Sequence, residues 1–175
     1  MIQSPYKIDK FHSLSLGFRI DLLPVIEDVK KGSIISYRPN FWNFLRSVEQ
    51  ETGLQYERRK EWIFVFKDRD HYEKYLARRI SLGIFLDYPA CCVEKFENSK
   101  LDNNALKFWK EAAKGIENGT YQNILEYVFY VPCSIHCEKT LEMCHKLEKI
   151  FQQYDKLAGT YLKLTERGEI KRFLK

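Results

Sequence analysis

Two proline-led cysteine stretches constrain this chain more than any other feature: Tyr88-Pro89-Ala90-Cys91-Cys92-Val93-Glu94-Lys95-Phe96 and Val131-Pro132-Cys133-Ser134-Ile135-His136-Cys137-Glu138. They hold four of the five cysteines. In each, an apolar, helix-compatible run follows the proline, so each reads as the first turn of a helix, where proline's missing N–H is no loss. Thiols at such positions face unpaired N–H groups and the positive end of the helix dipole. Both favour thiolate, the form that binds metal or attacks an electrophile. The two stretches are therefore expected to meet, with at least one sulfur of Cys91/Cys92 within ~2–4 Å of a sulfur of Cys133/Cys137. Cys92, one position deeper beside Val93 and Phe96, is the expected participant.

Cys133 and Cys137 stand one helical turn, or one loop-to-helix step, apart, and His136 between them is a further candidate ligand. With Cys91 or Cys92 the set reaches three or four donors, which suits tetrahedral zinc or an iron–sulfur cluster. Adjacent residues on a helix point about 100° apart, which makes it harder for both Cys91 and Cys92 to ligate one ion, though both stay in the candidate set. Two other readings stay open. The thiolates can act in pairs as redox or nucleophilic groups without metal, or they can be structural, as a disulfide or as small buried hydrophobes. Cys144 lies about 10 Å further along the same expected helix, on its apolar stripe, and reads as core. No catalytic residue is assigned, because Ser134 has no identifiable base and reads as a helix cap.

At 175 residues, 45% hydrophobic and 15% aromatic, the chain is too apolar for disorder. It reads as a single domain over 1–175, with a cysteine-motif core at about 79–163. Met1–Tyr6 lacks the charge and apolar order of a signal peptide, and no apolar run approaches the ~20 residues that span a bilayer. The expected location is the cytoplasm, where clustered cysteines point to metal or thiol chemistry more than to disulfides. The net charge of +5, from 29 basic and 24 acidic residues, is weak. Basic clusters occur at Arg58-Arg59-Lys60, at Arg78-Arg79 and from Lys163 onward. Arg78 and Arg79 precede the first cysteine stretch closely enough to reach an anion held at the helix N-termini, so an anionic small molecule or RNA is a candidate partner. A solvated helix face explains the same residues.

The fold class follows from periodicity. Residues 18–29 read as a strand or turn and then a short helix, 33–37 as a strand, and 40–52 as a helix closed by Gly53. Glu61-Trp62-Ile63-Phe64-Val65-Phe66 reads as a strand, with Tyr56 as a candidate start, and 68–82 as a helix capped by Asp68-Arg69-Asp70. A helix over 89–98 buries Val93 and Phe96; Asp102-Asn103-Asn104 caps another, and 124–131 is either a buried strand or an apolar helix. A long helix runs from about Ser134 to Lys163, with Gly159 as a candidate interruption. The expectation is α+β: a helix-rich single domain with a small β-sheet and a long C-terminal helix.

At the cysteine stretches the chain resembles a family of largely archaeal proteins known as domain of unknown function 483. Its members pair a Gly-Tyr-Pro-x-Cys-Cys-Val-like stretch with a downstream Pro-Cys-Ser-x-x-Cys. Here the match is Asp87-Tyr88-Pro89-Ala90-Cys91-Cys92-Val93 and Pro132-Cys133-Ser134-Ile135-His136-Cys137, with Asp87 in place of the usual glycine. The resemblance covers about 79–145 and implies no particular activity. From the residues, the leading reading is a cytosolic cysteine-site protein that binds a metal ion or cluster or uses paired thiolates. The alternative is a non-catalytic module that binds nucleic acid or a partner.

Overall fold

The computed structural model describes residues 11, 14–99, 101–128, 130–172 and 174; the opening segment read for a signal peptide lies outside them. The fold is α+β, with a three-stranded antiparallel sheet and a long helical C-terminal region. The chain divides into two compact units, Met1–Asp87 and Tyr88–Lys175. Among the described residues, no helix is long and apolar enough to cross a membrane.

The first unit contains α1 (Leu16–Ile26), β1 (Gly32–Ser36), α2 (Pro39–Thr52), β2 (Gln55–Arg59), β3 (Trp62–Phe66), α3 (Arg69–Leu76) and the single turn α4 (Leu82–Phe85). β3 is the central strand, and its run Ile63-Phe64-Val65-Phe66 is buried on both faces. Ile63 and Val65 join Leu22, Val25, Phe41 and Leu45 in one cluster, while Phe64 and Phe66 join Tyr72 and Phe85 in another. Tyr56 belongs to a separate strand, β2, which forms a hairpin with β3 through Lys60 and Glu61. Lys60 takes φ 55 there, a left-handed conformation that carries no glycine signal in the sequence.

Two expectations are corrected in this unit. Residues 16–26 are one helix with Pro24 inside its last turn, and the freed Pro24 carbonyl accepts from the N–H groups of Val29 and Lys30. The expected helix over 68–82 stops at Leu76. Its end is a Schellman turn, in which Arg78 N–H donates to Tyr75 and Arg79 N–H to Lys74, both at 2.9 Å. Arg78 occupies the left-handed position, φ 56, where glycine is the usual residue; a non-glycine there costs roughly 1 kcal/mol.

The second unit contains α5 (Ala90–Glu97), α6 (Leu101–Glu117), a 3₁₀ turn (Asn123–Tyr127), α7 (Glu138–Tyr154) and α8 (Lys156–Lys171). The 3₁₀ turn packs on α7 and α8. It carries Glu126, which is only 3% exposed and pairs with Arg167 at 2.7 Å. The described residues of 124–131 are thus neither strand nor α-helix, and α6 begins at Leu101, ahead of the expected Asp102–Asn104 cap. Phe96 is 39% exposed rather than buried. The long C-terminal helix starts later than expected and breaks at Asp155, whose carboxylate accepts from Ala158 N–H at 3.0 Å and caps α8. Gly159 lies inside α8, buried against Phe151, and interrupts nothing.

Candidate metal centre

The first cysteine pair is positioned as its proline predicts. Pro89 is the N-cap of α5, its carbonyl accepts from the N–H groups of Cys92 and Val93, and Cys91 and Cys92 fill the first turn. Asp87, the residue standing for the family's usual glycine, takes φ 62, and so adopts the left-handed backbone that glycine would adopt without strain. The second stretch differs from the expectation. Residues 131–132 have no regular structure and 133–137 form a turn, so that Cys137, not Pro132 or Ser134, leads into the helix as the N-cap of α7. Ser134 organises that turn instead: its carbonyl accepts from Cys137 N–H and its hydroxyl from His136 N–H. Ile135 is buried and its N–H donates to Glu111 of α6. The turn is therefore anchored from two sides.

These elements bring the sulfurs of Cys91, Cys92, Cys133 and Cys137 within 4.8 Å of one another, a group that can hold a metal ion. Cys137 Sγ lies 3.6 Å from Cys91 Sγ and 3.7 Å from Cys92 Sγ. Cys91 Sγ lies 3.9 Å from Cys133 Sγ and 4.0 Å from Cys92 Sγ. Both members of the adjacent pair join the group, although their 100° offset makes this harder. The reason is their place in the first turn. No preceding helical turn crowds their χ1 rotamers there, so two neighbouring thiols can swing toward a common point.

Three groups that sequence reasoning missed support the sulfurs. Cys133 N–H donates to Cys92 Sγ at 3.3 Å. The hydroxyl of Thr140 lies 3.4 Å from the same sulfur and accepts from Tyr130 OH at 3.0 Å. Tyr130 in turn stacks on Tyr88, with ring centroids 4.4 Å apart. The only sequence signal for this network is local: Tyr88 precedes Pro89, and Thr140 sits in the first turn of α7.

The thiols differ in acidity. Burial raises the Cys92 thiol, against hydrogen bonds from Thr140 and from Cys133 N–H. Burial also pushes Cys133 up to about 11. Cys137 is subject to the same burial, but hydrogen bonds from the hydroxyl and N–H of Thr140 and from the Cys133 and Cys91 thiols outweigh it, bringing Cys137 down to about 7. A small cavity of about 20 Å³, lined by Cys92, Cys133, Lys95, Lys107, Phe108 and Glu111, adjoins the group. It has room for about one water. Lys95 Nζ donates to the Cys133 carbonyl at its edge.

Of the other residues singled out by sequence, His136 is exposed and stands outside the sulfur group. Cys144 is buried in the core, also outside the group, and burial raises its thiol to about 12. Arg78 and Arg79 belong to the first unit, where with Arg59 they border a groove.

Comparison with known proteins identifies a family. Residues 64–165 match a family model described as protein of unknown function (DUF483), a span that includes all four clustered cysteines. The chain is also 29% identical over 90 residues to an uncharacterized protein of Methanocaldococcus jannaschii, MJ1106, covering 49% of this chain and 48% of the relative. The chain thus spans about half the length of the curated relative it matches. No solved structure matches it.

Proposed function

We propose that this chain, which belongs to the DUF483 family, holds a single zinc ion between the thiolates of Cys91, Cys92, Cys133 and Cys137, and that the ion is structural. The observation that carries this reading is the set of sulfur separations: four of the six pairs lie at 3.6 to 4.0 Å and all lie within 4.8 Å. A tetrahedron with Zn–S bonds of 2.3 Å has edges of about 3.8 Å. An iron–sulfur cluster spreads its thiolates over several irons with sulfides between them, so its cysteine sulfurs stand further apart than those around one ion. Four thiolates leave no open coordination position for a substrate, which is the pattern of structural rather than catalytic zinc. The N–H and hydroxyl groups aimed at Cys92 are the outer contacts that orient and stabilise metal-bound sulfur. In this reading the ion ties the start of α5 to the turn before α7.

The test is metal analysis of the full chain expressed with both zinc and iron in the medium and purified without oxygen. One zinc per chain in a colourless protein is expected. A brown protein containing iron and sulfide, or a metal-free protein whose four thiols react freely in the native state, overturns the reading.

A further inference from the structure

The first unit carries a second site that the metal centre does not use. On the sheet face covered by α3 and α4 there is a groove of about 540 Å³. Its apolar floor is made by Phe64, Tyr75 and Ile80, and three arginines, Arg59, Arg78 and Arg79, stand on its border. Arg59 is held in place by Glu57 and by the hydroxyl of Tyr72, at 2.9 and 3.0 Å. Ser81 also lines the groove, and its hydroxyl oxygen is buried without a hydrogen-bond partner among the described residues.

Arg78 is the most informative residue. The Schellman turn after α3 requires a left-handed residue at this position, and glycine would meet that need without strain. Arginine meets it with strain, so the local turn does not account for the choice of side chain. Its guanidinium and that of Arg79 are exposed at the mouth of an apolar groove. Guanidinium groups recognise phosphate through paired N–H donors, and an aromatic and aliphatic floor takes a flat organic group.

From this we infer that the groove binds a nucleoside phosphate, with the phosphate on Arg78 and Arg79 and the base on the Phe64 and Tyr75 floor. The inference is independent of the zinc reading. The test is calorimetric titration of the full chain with adenosine monophosphate, and separately with adenosine, with inorganic phosphate and with a short single-stranded RNA. Adenosine monophosphate is expected to bind at least tenfold more tightly than adenosine or phosphate alone. Arg78→Gly, which suits the left-handed turn, is expected to keep or raise the melting temperature while weakening adenosine monophosphate binding at least tenfold. Arg79→Gln is expected to weaken it similarly. Failure of adenosine monophosphate to bind, RNA binding without mononucleotide binding, or unchanged affinity in both variants overturns the proposal.

Discussion

Thr140 places its hydroxyl 3.4 Å from the sulfur of Cys92, a residue 48 positions earlier in the chain. Because Tyr130 donates to that hydroxyl, the Thr140 proton is left to point at the sulfur. Tyr130→Phe removes the donor and keeps the ring that stacks on Tyr88. It is expected to weaken zinc binding about tenfold, and Thr140→Val at least as much, as measured by competition with a chromophoric chelator. Unchanged affinity in both variants would falsify a supporting role for this pair.

Cys137 serves as a member of the sulfur group and as the N-cap of α7. Serine is a good N-cap, so Cys137→Ser keeps the helix start and removes the thiolate. The variant is expected to lose bound zinc, and its melting temperature to fall by ~10 °C or more. Chelator should lower the wild-type melting temperature by a similar amount and leave the variant almost unmoved. A chelator effect of equal size on both proteins counts against the site.

Glu166 gives a pH dependence separate from the sulfur group. Burial, with a smaller contribution from Glu169, raises its carboxyl from the usual 4.5 to about 7. The folded state therefore holds the proton more tightly than the unfolded chain does. Its stabilising contribution is complete below pH 4.5 and is lost as pH rises through about 7. After a discount for partial exposure this is roughly 2 kcal/mol. Denaturant titrations at pH 4.5 and pH 7.5 should show a smaller difference for Glu166→Gln than for the wild type; equal differences contradict the assignment.

Gly159→Ala sets helix propensity against packing. Alanine is the better helix former by about 1 kcal/mol, but its Cβ would lie 2.7 Å from Cβ of the buried Phe151. Neither backbone-attached atom can turn aside, so α7 and α8 must separate. A net loss of about 1–3 kcal/mol is expected in denaturant unfolding, and a stabilised variant contradicts the close approach.

Legibility followed the range of the interactions. β3 could be read because its aromatic and β-branched run is dictated by local preference and by burial on both faces. α5 could be read because Pro89 and the residues after it are a complete helix start. Asp155 was a readable N-cap three residues before Ala158, but the apolar stripe running past it suggested one unbroken helix. The start of α7 was misread because Pro132 resembled a helix entry, while Ile135 and Glu111, distant in sequence, hold the segment as a turn.

The four motif cysteines and the helix-start context of Cys91 and Cys92 were determined by the sequence alone, since proline and dipole effects act within one turn. That Cys91 and Cys92 both join the group, that His136 does not, and that Tyr130 and Thr140 support Cys92 was decided only by the tertiary structure. Sulfur positions depend on side-chain rotation and on the packing of segments some forty residues apart. Spacing along the chain does not encode either one.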